Sequence, residues 1–100
     1  GVSSVSEAMR MFERGYDLMK YFPAESSGGV EALRAIAGPL PQISFLPTGG
    51  ISSHNAEDYL AEDNVVCIGG SWIATASLIK EKNWERIYNL ASEAAKIGKR

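Results

Sequence analysis

The 100-residue sequence predicts an α/β fold in which short parallel strands alternate with helices. Helical and strand-like apolar patterns alternate along the chain, and only a few residues connect them. One predicted strand is apolar throughout, as a sheet covered on both faces requires. Three strands cannot close a barrel, and they would leave two open edges, which soluble proteins avoid. We therefore expect this sequence to form one part of a larger architecture.

The first helix is predicted over residues 4–14, because apolar residues recur there three and four positions apart. Ser3 or Ser4 could cap this helix, and Gly15 would end it. A short, aromatic-rich strand follows over residues 16–22 and stops at Pro23.

The same alternation continues through the middle of the chain. A turn at residues 26–29 precedes a second helix that ends at Gly38-Pro39. Its apolar face consists of Val30, Leu33, Ile36 and Ala37. Residues 43–47 are predicted to form the second strand, which runs into Thr48-Gly49-Gly50.

The last part of the chain is predicted to contain a third strand and three helices. A short helix is expected over residues 55–60, with Ser52 or Ser53 as its cap. The apolar third strand covers residues 65–68, and helices follow over residues 72–80 and 84–97. The predicted order is therefore α-β-α-β-α-β-α-α, with right-handed crossovers between parallel strands.

Composition excludes several classes of function. The net charge is −2, and no basic run is longer than Lys99-Arg100, so neither a nucleic acid nor a membrane surface is an expected partner. No apolar run approaches the roughly 20 residues that span a bilayer. The single Cys67 excludes an internal disulfide and fits a reducing compartment, which predicts a cytoplasmic location. His54 has no second ligand at metal spacing, so no metal site is expected.

Lys20 is the first candidate for chemistry. Strand alternation places it on one face with Leu18 and Phe22, and we expect that face to be buried. Burial disfavours the charged ammonium form, and a neutral amine can form an imine with a carbonyl substrate. The alternative is an edge-strand lysine whose ammonium group reaches water.

Two glycine pairs are the second candidate. Thr48-Gly49-Gly50 follows the second strand, and Gly69-Gly70-Ser71 follows the third strand. Glycines allow backbone N–H groups to approach an anion closely, and Ser71 could cap a helix or donate its hydroxyl to a phosphate. Each pair alone could be an ordinary turn. Two pairs at the same ends of consecutive strands favour a phosphate site.

Other residues are expected to have structural roles. Glu25 lies just beyond the strand of Lys20 and is expected to be a solvated loop carboxylate, as His54 is expected to lie on the surface. Cys67 is expected to be a small buried side chain. Trp72 and Trp84 are expected to anchor helices to a barrel exterior or to a subunit interface.

Five stretches of the chain together resemble one enzyme family. They are Lys20-Tyr21-Phe22-Pro23-Ala24-Glu25, Gly28-Gly29-Val30, Ala37-Gly38-Pro39, Pro47-Thr48-Gly49-Gly50-Ile51 and Cys67-Ile68-Gly69-Gly70-Ser71-Trp72. In order and spacing they are similar to the C-terminal portion of the 2-keto-3-deoxy-6-phosphogluconate (KDPG) aldolases, also called 4-hydroxy-2-oxoglutarate (KHG) aldolases. The resemblance covers nearly the whole chain.

The resemblance implies a class I aldolase, which needs no metal or other cofactor, on a (β/α)₈ TIM barrel that is usually a homotrimer. Lys20 would be the Schiff-base lysine, and Phe22 would pack against the bound pyruvate moiety. The substrate's hydroxyl and phosphate end would be held by Thr48, Gly49, Gly50, Gly70 and Ser71. The implied reaction cleaves phosphorylated KDPG to pyruvate and glyceraldehyde 3-phosphate in the Entner-Doudoroff pathway, and KHG to pyruvate and glyoxylate.

The family layout also implies what this chain would lack. Residues 1–100 would form strands six to eight of a single barrel domain. The family's general-base glutamate, its carboxylate-binding arginine and a pyruvate-contacting threonine belong to upstream strands, so activity would need an N-terminal half as partner. The alternatives are an aldolase of the 2-keto-3-deoxy-6-phosphogalactonate type, a relative selective for unphosphorylated hydroxy-keto acids, and a non-catalytic half-barrel.

Overall fold

Helices and two short parallel strands alternate in the computed structural model, which describes residues 1–98. Lys99 and Arg100, the basic run considered above, lie outside these residues. The elements, in chain order, are α1 (Val5–Glu13), β1 (Leu18–Tyr21), α2 (Gly29–Ala37), β2 (Ser44–Pro47), α3 (Ala56–Leu60), α4 (Ala76–Lys80) and α5 (Trp84–Ala95). The predicted α/β class and parallel pairing are confirmed.

The two strands form the centre of a wider parallel arrangement. β1 and β2 pair in a register that sets Lys20 opposite Leu46. On the outer edge of β1, Val2 makes a parallel bridge to Tyr21. On the outer edge of β2, residues 65–69 make two isolated parallel bridges. All the segments that follow one another across this sheet therefore run in the same direction.

The predicted third strand at residues 65–68 does not form a continuous ladder, and that prediction is wrong for this chain. The bridges join Phe45 to Val65 and Thr48 to Gly69, so the outer segment has one more residue than β2 between them. Pro47 lies in this interval and has no N–H to donate to a neighbouring strand. The mismatch and the missing donor together interrupt the pairing.

The core lies on one face of the sheet, against α1, α2 and α3. Met19 and Tyr21 of β1 and Phe45 of β2 point into it, and the rings of Tyr21 and Phe45 meet edge to face at 5.9 Å between centroids. The other buried apolar residues are Val2, Ala8, Ala24, Leu33, Ile36, Ile43, Ile51, Ala56, Tyr59, Leu60 and Val65. The described buried apolar residues thus all lie between Val2 and Val65.

Local capping explains where two of the helices begin. The Ser4 hydroxyl accepts a hydrogen bond from the Glu7 N–H at the start of α1, as expected. Hydrogen bonds from Ser3 and Ser4 to the Glu7 carboxylate hold the pKa of that group below its usual value. α4 begins later than predicted, because Thr75 rather than Ser71 is its N-cap. The carbonyl of Ser71 instead accepts from the Ala74 N–H in a turn.

The helices α4 and α5 contact each other and contribute no buried residue. Trp84 is 58% exposed and Tyr88 is 72% exposed. Within residues 1–98, no helix is both long and apolar enough to cross a membrane. This helical hairpin therefore presents aromatic surface that the described chain does not cover.

Candidate active site

The loops that follow β1, β2 and the bridged segment 65–69 meet in one cleft of about 370 Å³. The cleft lies at the carboxyl ends of the parallel strands, where ligands bind in α/β barrels and open α/β sheets. Its lining residues are Phe22, Thr48, Gly49, Gly50, Ile51, Gly70 and Ser71. The structure therefore brings together six of the seven residues that the sequence singled out for chemistry.

The loop after β1 packs directly on the glycine turn after β2. The Ala24 N–H donates to the Thr48 carbonyl at 2.8 Å, and the Glu25 N–H donates to the Gly49 carbonyl at 3.0 Å. Gly49 has a φ of +106°, and a Cβ there would lie 2.9 Å from the Cα of Pro23. A side chain at Gly49 would therefore be disfavoured both by its own backbone conformation and by the neighbouring loop.

The second glycine of this turn is equally constrained. Gly50 has a φ of +78°, and a Cβ there would lie 2.6 Å from the Cγ of Glu25. The Asn55 side chain donates to the Gly50 carbonyl at 3.1 Å and accepts from the Ser52 N–H at 2.9 Å. The turn is thus held by backbone contacts on one side and by a side-chain amide on the other.

The far wall of the cleft is the turn at residues 69–72. A Cβ at Gly69 would lie 2.7 Å from the Thr48 hydroxyl oxygen, and one at Gly70 would overlap the Trp72 ring. Trp72 is half-buried and packs against the core. Ser71 therefore lies beside the Trp72 ring and not at the start of a helix, because α4 begins only at Ala76.

Backbone donors at this cleft are free for a ligand. No acceptor within residues 1–98 takes the amide N–H of the residues Gly49, Gly50, Gly70 and Ser71. Glycine turns that leave several such amides free are suited to binding an anion. The Ser71 hydroxyl can add a further donor. The geometry therefore suits a small anionic group such as a phosphate.

Lys20 lies beside the cleft but does not line it. Its Nζ is 5.3 Å from the centroid of the Phe22 ring, which does line the cleft. Leu18 and Phe22, on the same face, are 54% and 50% exposed. The expectation that this face is buried is wrong for this chain, because the helices cover only the opposite face of the sheet.

Glu25 has a partner that the sequence did not suggest. Its carboxylate accepts a hydrogen bond from the hydroxyl of Tyr59, whose side chain is fully buried. Burial, reinforced by this hydrogen bond to a carboxylate, raises the pKa of Tyr59 above its usual value. Gly29 packs against both groups, since a Cβ there would lie 3.2 Å from the carboxylate.

Sequence reasoning missed Asn55 and Tyr59, although the four-residue spacing that follows the Gly-Gly turn was available as a signal. His54 is exposed, as expected. Cys67 is exposed rather than buried, because residues 66 and 67 lie where the ladder to β2 is interrupted. Among residues 1–98, no cluster of three or more His, Cys, Asp or Glu could hold a metal ion.

Comparisons with known sequences give one consistent family. A sequence model described as "Aldolase: KDPG and KHG aldolase" matches residues 1–90. A 2-dehydro-3-deoxy-phosphogluconate aldolase of Pseudoalteromonas atlantica is 52% identical over 94 residues, which are 94% of this chain and 44% of that protein. The KHG/KDPG aldolase of Escherichia coli K12 is 50% identical over 99 residues, which are 99% of this chain and 46% of that protein.

Solved structures give the same result. A KDPG aldolase from Legionella pneumophila, with pyruvate captured at low pH as a covalent carbinolamine, matches with a TM-score of 0.88 and 51% identity. The match covers 90% of this chain and 44% of that one. The KDPG aldolase of Zymomonas mobilis ZM4, solved with 3-phosphoglycerate, matches with a TM-score of 0.92 and 36% identity. That match covers 99% of this chain and 46% of the Zymomonas chain. The chain spans about half the length of the curated relatives it matches.

Proposed function

The chain belongs to the KDPG and KHG aldolase family, and from that premise we propose that it supplies the lysine and the phosphate-binding part of a class I aldolase. The complete enzyme cleaves KDPG to pyruvate and glyceraldehyde 3-phosphate, and KHG to pyruvate and glyoxylate. The chemistry is that of a carbon–carbon lyase. Both substrates are 2-keto-4-hydroxy acids. Beyond C4, KDPG carries a longer arm that ends in a phosphate, whereas KHG ends in a carboxylate.

The observation that carries this proposal is the cleft of about 370 Å³ beside Lys20. Its lining holds free amides for an anion, and Phe22 connects it to the amine. The phosphate of KDPG would lie against Gly49, Gly50, Gly70 and Ser71. Thr48 would contact a substrate hydroxyl, and Phe22 would pack against the pyruvate portion. Anchoring the distant phosphate would supply binding energy that orients the reacting carbons at Lys20.

Lys20 would act as the nucleophile. Its neutral amine adds to the C2 carbonyl to give a carbinolamine, and loss of water gives a protonated imine. That imine accepts the electron pair of the C3–C4 bond when the C4 hydroxyl loses its proton and becomes an aldehyde. The enamine that remains is protonated at C3, and water then releases pyruvate and regenerates the amine. The relative from Legionella pneumophila, with its captured carbinolamine, supports the first step.

The rest of the enzyme would come from the upstream part of one (β/α)₈ barrel domain, in which residues 1–100 form strands six to eight. The open sheet face of Leu18, Lys20 and Phe22 supports this arrangement, because a closed barrel turns that face inward. The upstream strands would bring the general base and the carboxylate-binding groups. Closure would also remove water from around Lys20.

The exposed aromatic surface of α5 supports further assembly. We assign it to contacts with the rest of the barrel and with the other subunits of a homotrimer. The relatives are bacterial metabolic enzymes, which supports a cytoplasmic location. The free amides at the cleft favour a phosphorylated substrate over an unphosphorylated one.

Borohydride trapping tests the proposal in the complete protomer that carries residues 1–100. Pyruvate and borohydride should give a stable secondary amine on Lys20, identified by mass spectrometry of the peptide. The variant Lys20→Ala should form no adduct and cleave no substrate, yet keep its thermal unfolding temperature. Lys80→Ala, on the exposed surface of α4, is the matched control and should behave as the parent does.

Two results would contradict the assignment. An absence of adduct in the folded parent protein would exclude Lys20 as a Schiff-base residue and favour a non-catalytic half-barrel. An adduct that persists in Lys20→Ala would move the nucleophile to another lysine. Cleavage of the 2-keto-3-deoxy-6-phosphogalactonate epimer at the higher kcat/KM would identify the alternative substrate class.

A further inference from the structure

Two side chains at the start and in the body of α3 reach the two loops that form the cleft. Asn55 is the N-cap residue of α3, and Tyr59 lies four residues later, one helical turn along. Asn55 contacts the glycine turn after β2, and Tyr59 contacts the loop after β1. Neither side chain lines the cleft. Their effect on a ligand would therefore act through the loops that they hold.

Asn55 fixes the orientation of one peptide in the glycine turn. Its Nδ2 donates to the Gly50 carbonyl and its Oδ1 accepts from the Ser52 N–H, so both ends of the amide are used. Because a trans peptide is planar, a fixed Gly50 carbonyl also fixes the Ile51 N–H on the opposite side. Gly50 and Ile51 both line the cleft. An aspartate at position 55 would keep the acceptor and lose the donor.

Tyr59 holds the other loop through Glu25. The Glu25 carboxylate accepts a hydrogen bond from the Tyr59 hydroxyl. The backbone N–H of Glu25 donates a hydrogen bond to the Gly49 carbonyl. The Cβ and Cγ of Glu25 lie over Gly50 and leave no room for a side chain there. Since Tyr59 is fully buried, its hydroxyl is in a fixed position. Glu25 therefore links α3, through Tyr59, to both Gly49 and Gly50.

We propose that Asn55 and Tyr59 are positioning residues that set the N–H groups of Gly50 and Ile51 for the phosphate of the substrate. This inference rests on the proposed aldolase function. In this proposal α3 supports the binding of the phosphate and does not affect the chemistry at Lys20. Loss of either contact should then weaken binding of the phosphorylated substrate and leave the unphosphorylated one unaffected.

The test compares Asn55→Asp and Tyr59→Phe with the parent in the complete protomer, using KDPG and KHG as the two substrates. The KM for KDPG should rise about tenfold in each variant, since each substitution leaves the partner of the removed group unsatisfied. The kcat for KDPG and both constants for KHG should stay at the parent values. Inhibition by inorganic phosphate should weaken by the same factor as KDPG binding.

Asp58→Asn is the matched control, since Asp58 is exposed on the same helix, and it should change neither substrate's constants. Equal losses for KDPG and KHG would overturn the inference, because they would show a general structural role. Unchanged KDPG constants would also overturn it. If Asn55→Asp does not fold, Asn55→Ala replaces it under the same criteria. A parent protein that cleaves neither substrate and forms no adduct with pyruvate would instead refute the proposed function.

Discussion

The cleft region and the C-terminal hairpin of α4 and α5 differ in how far this chain alone stabilises them. The loops around the cleft are joined by backbone hydrogen bonds and lie over a core that extends from Val2 to Val65. The hairpin has capped helix starts at Thr75 and Asn83 but buries none of its helical residues. Both regions thus contain favourable local hydrogen bonds, but only the cleft region also packs on a buried core.

This difference teaches that helix capping and helix packing are separate requirements. A cap satisfies one or two backbone groups, whereas most helical stability in proteins comes from burying an amphipathic face. The face that α5 offers includes the exposed Trp84 and Tyr88. Its stability should therefore depend on contacts with protein outside residues 1–98.

The largest expected effect is the difference between core and hairpin substitutions. In the complete protomer, Phe45→Ala should lower the free energy of unfolding by about 3–5 kcal/mol, because Phe45 is fully buried against Tyr21. Trp84→Ala should lower it by about 1–2 kcal/mol, because the rest of the assembly would cover an indole that is exposed here. Urea unfolding of the two variants measures both values.

A change of less than about 0.5 kcal/mol for Trp84→Ala would mean that the hairpin stays uncovered, since that is typical of surface substitutions. The proposed assembly contact at α5 would then be wrong. A larger effect for Trp84 than for Phe45 would reverse the comparison between the two regions.

A smaller effect is expected at the glycine turn. Gly50→Ala should lower the free energy of unfolding by about 1–3 kcal/mol and raise the KM for KDPG, because both φ and the contact with Glu25 oppose a side chain. Gly15→Ala is the matched control, because Gly15 has a φ of +96° with nothing within 4 Å of its added Cβ. Gly15→Ala should therefore show only the cost of the backbone conformation. Equal losses in the two variants would show that the contact between Gly50 and Glu25 contributes nothing.

The smallest effect is a pH dependence at the edge of the cleft. The pKa of Tyr59 is raised in the folded protein, so the native state keeps this proton at pH values where the unfolded chain has lost it. This contribution to stability is complete below the ordinary value of 10.0 and is lost as pH rises toward the folded-state pKa. Urea unfolding between pH 9 and pH 11 should show falling stability, with a shallower slope in Tyr59→Phe. Tyr88→Phe, at an exposed position, should retain the parent slope, and an unchanged slope in Tyr59→Phe would contradict the assignment.

The elements that sequence predicted well are those set by local chemistry. The start of α1 follows from the Ser4 cap, and the end of α2 follows from Gly38-Pro39. The third strand was predicted from an apolar run, but its pairing depends on the register with β2 and on the missing donor of Pro47. Register is a relation between distant segments, which a local pattern does not contain.

The candidate site also combines features that local sequence predicts with features that depend on contacts between distant segments. The glycine pairs and Ser71 could be found because loops at the same ends of parallel strands must lie together. The exposure of Lys20 was one of two alternatives and could not be decided, because strand alternation says which residues share a face and not what covers that face. The contact between Tyr59 and Glu25 joins residues far apart in sequence and needed the fold to be seen.

The sheet register has a consequence for how this segment acquires its structure. Each pairing joins residues separated by a whole helical connection, as in Leu18 with Ser44, Val2 with Tyr21 and Phe45 with Val65. Helices form in about a microsecond or less. Non-local parallel pairings form more slowly, because the chain loses loop-closure entropy before their contacts stabilise it. The rate at which the chain folds should therefore be set by strand pairing. The phosphate cleft, which needs several such pairings at once, should be among the last features to form.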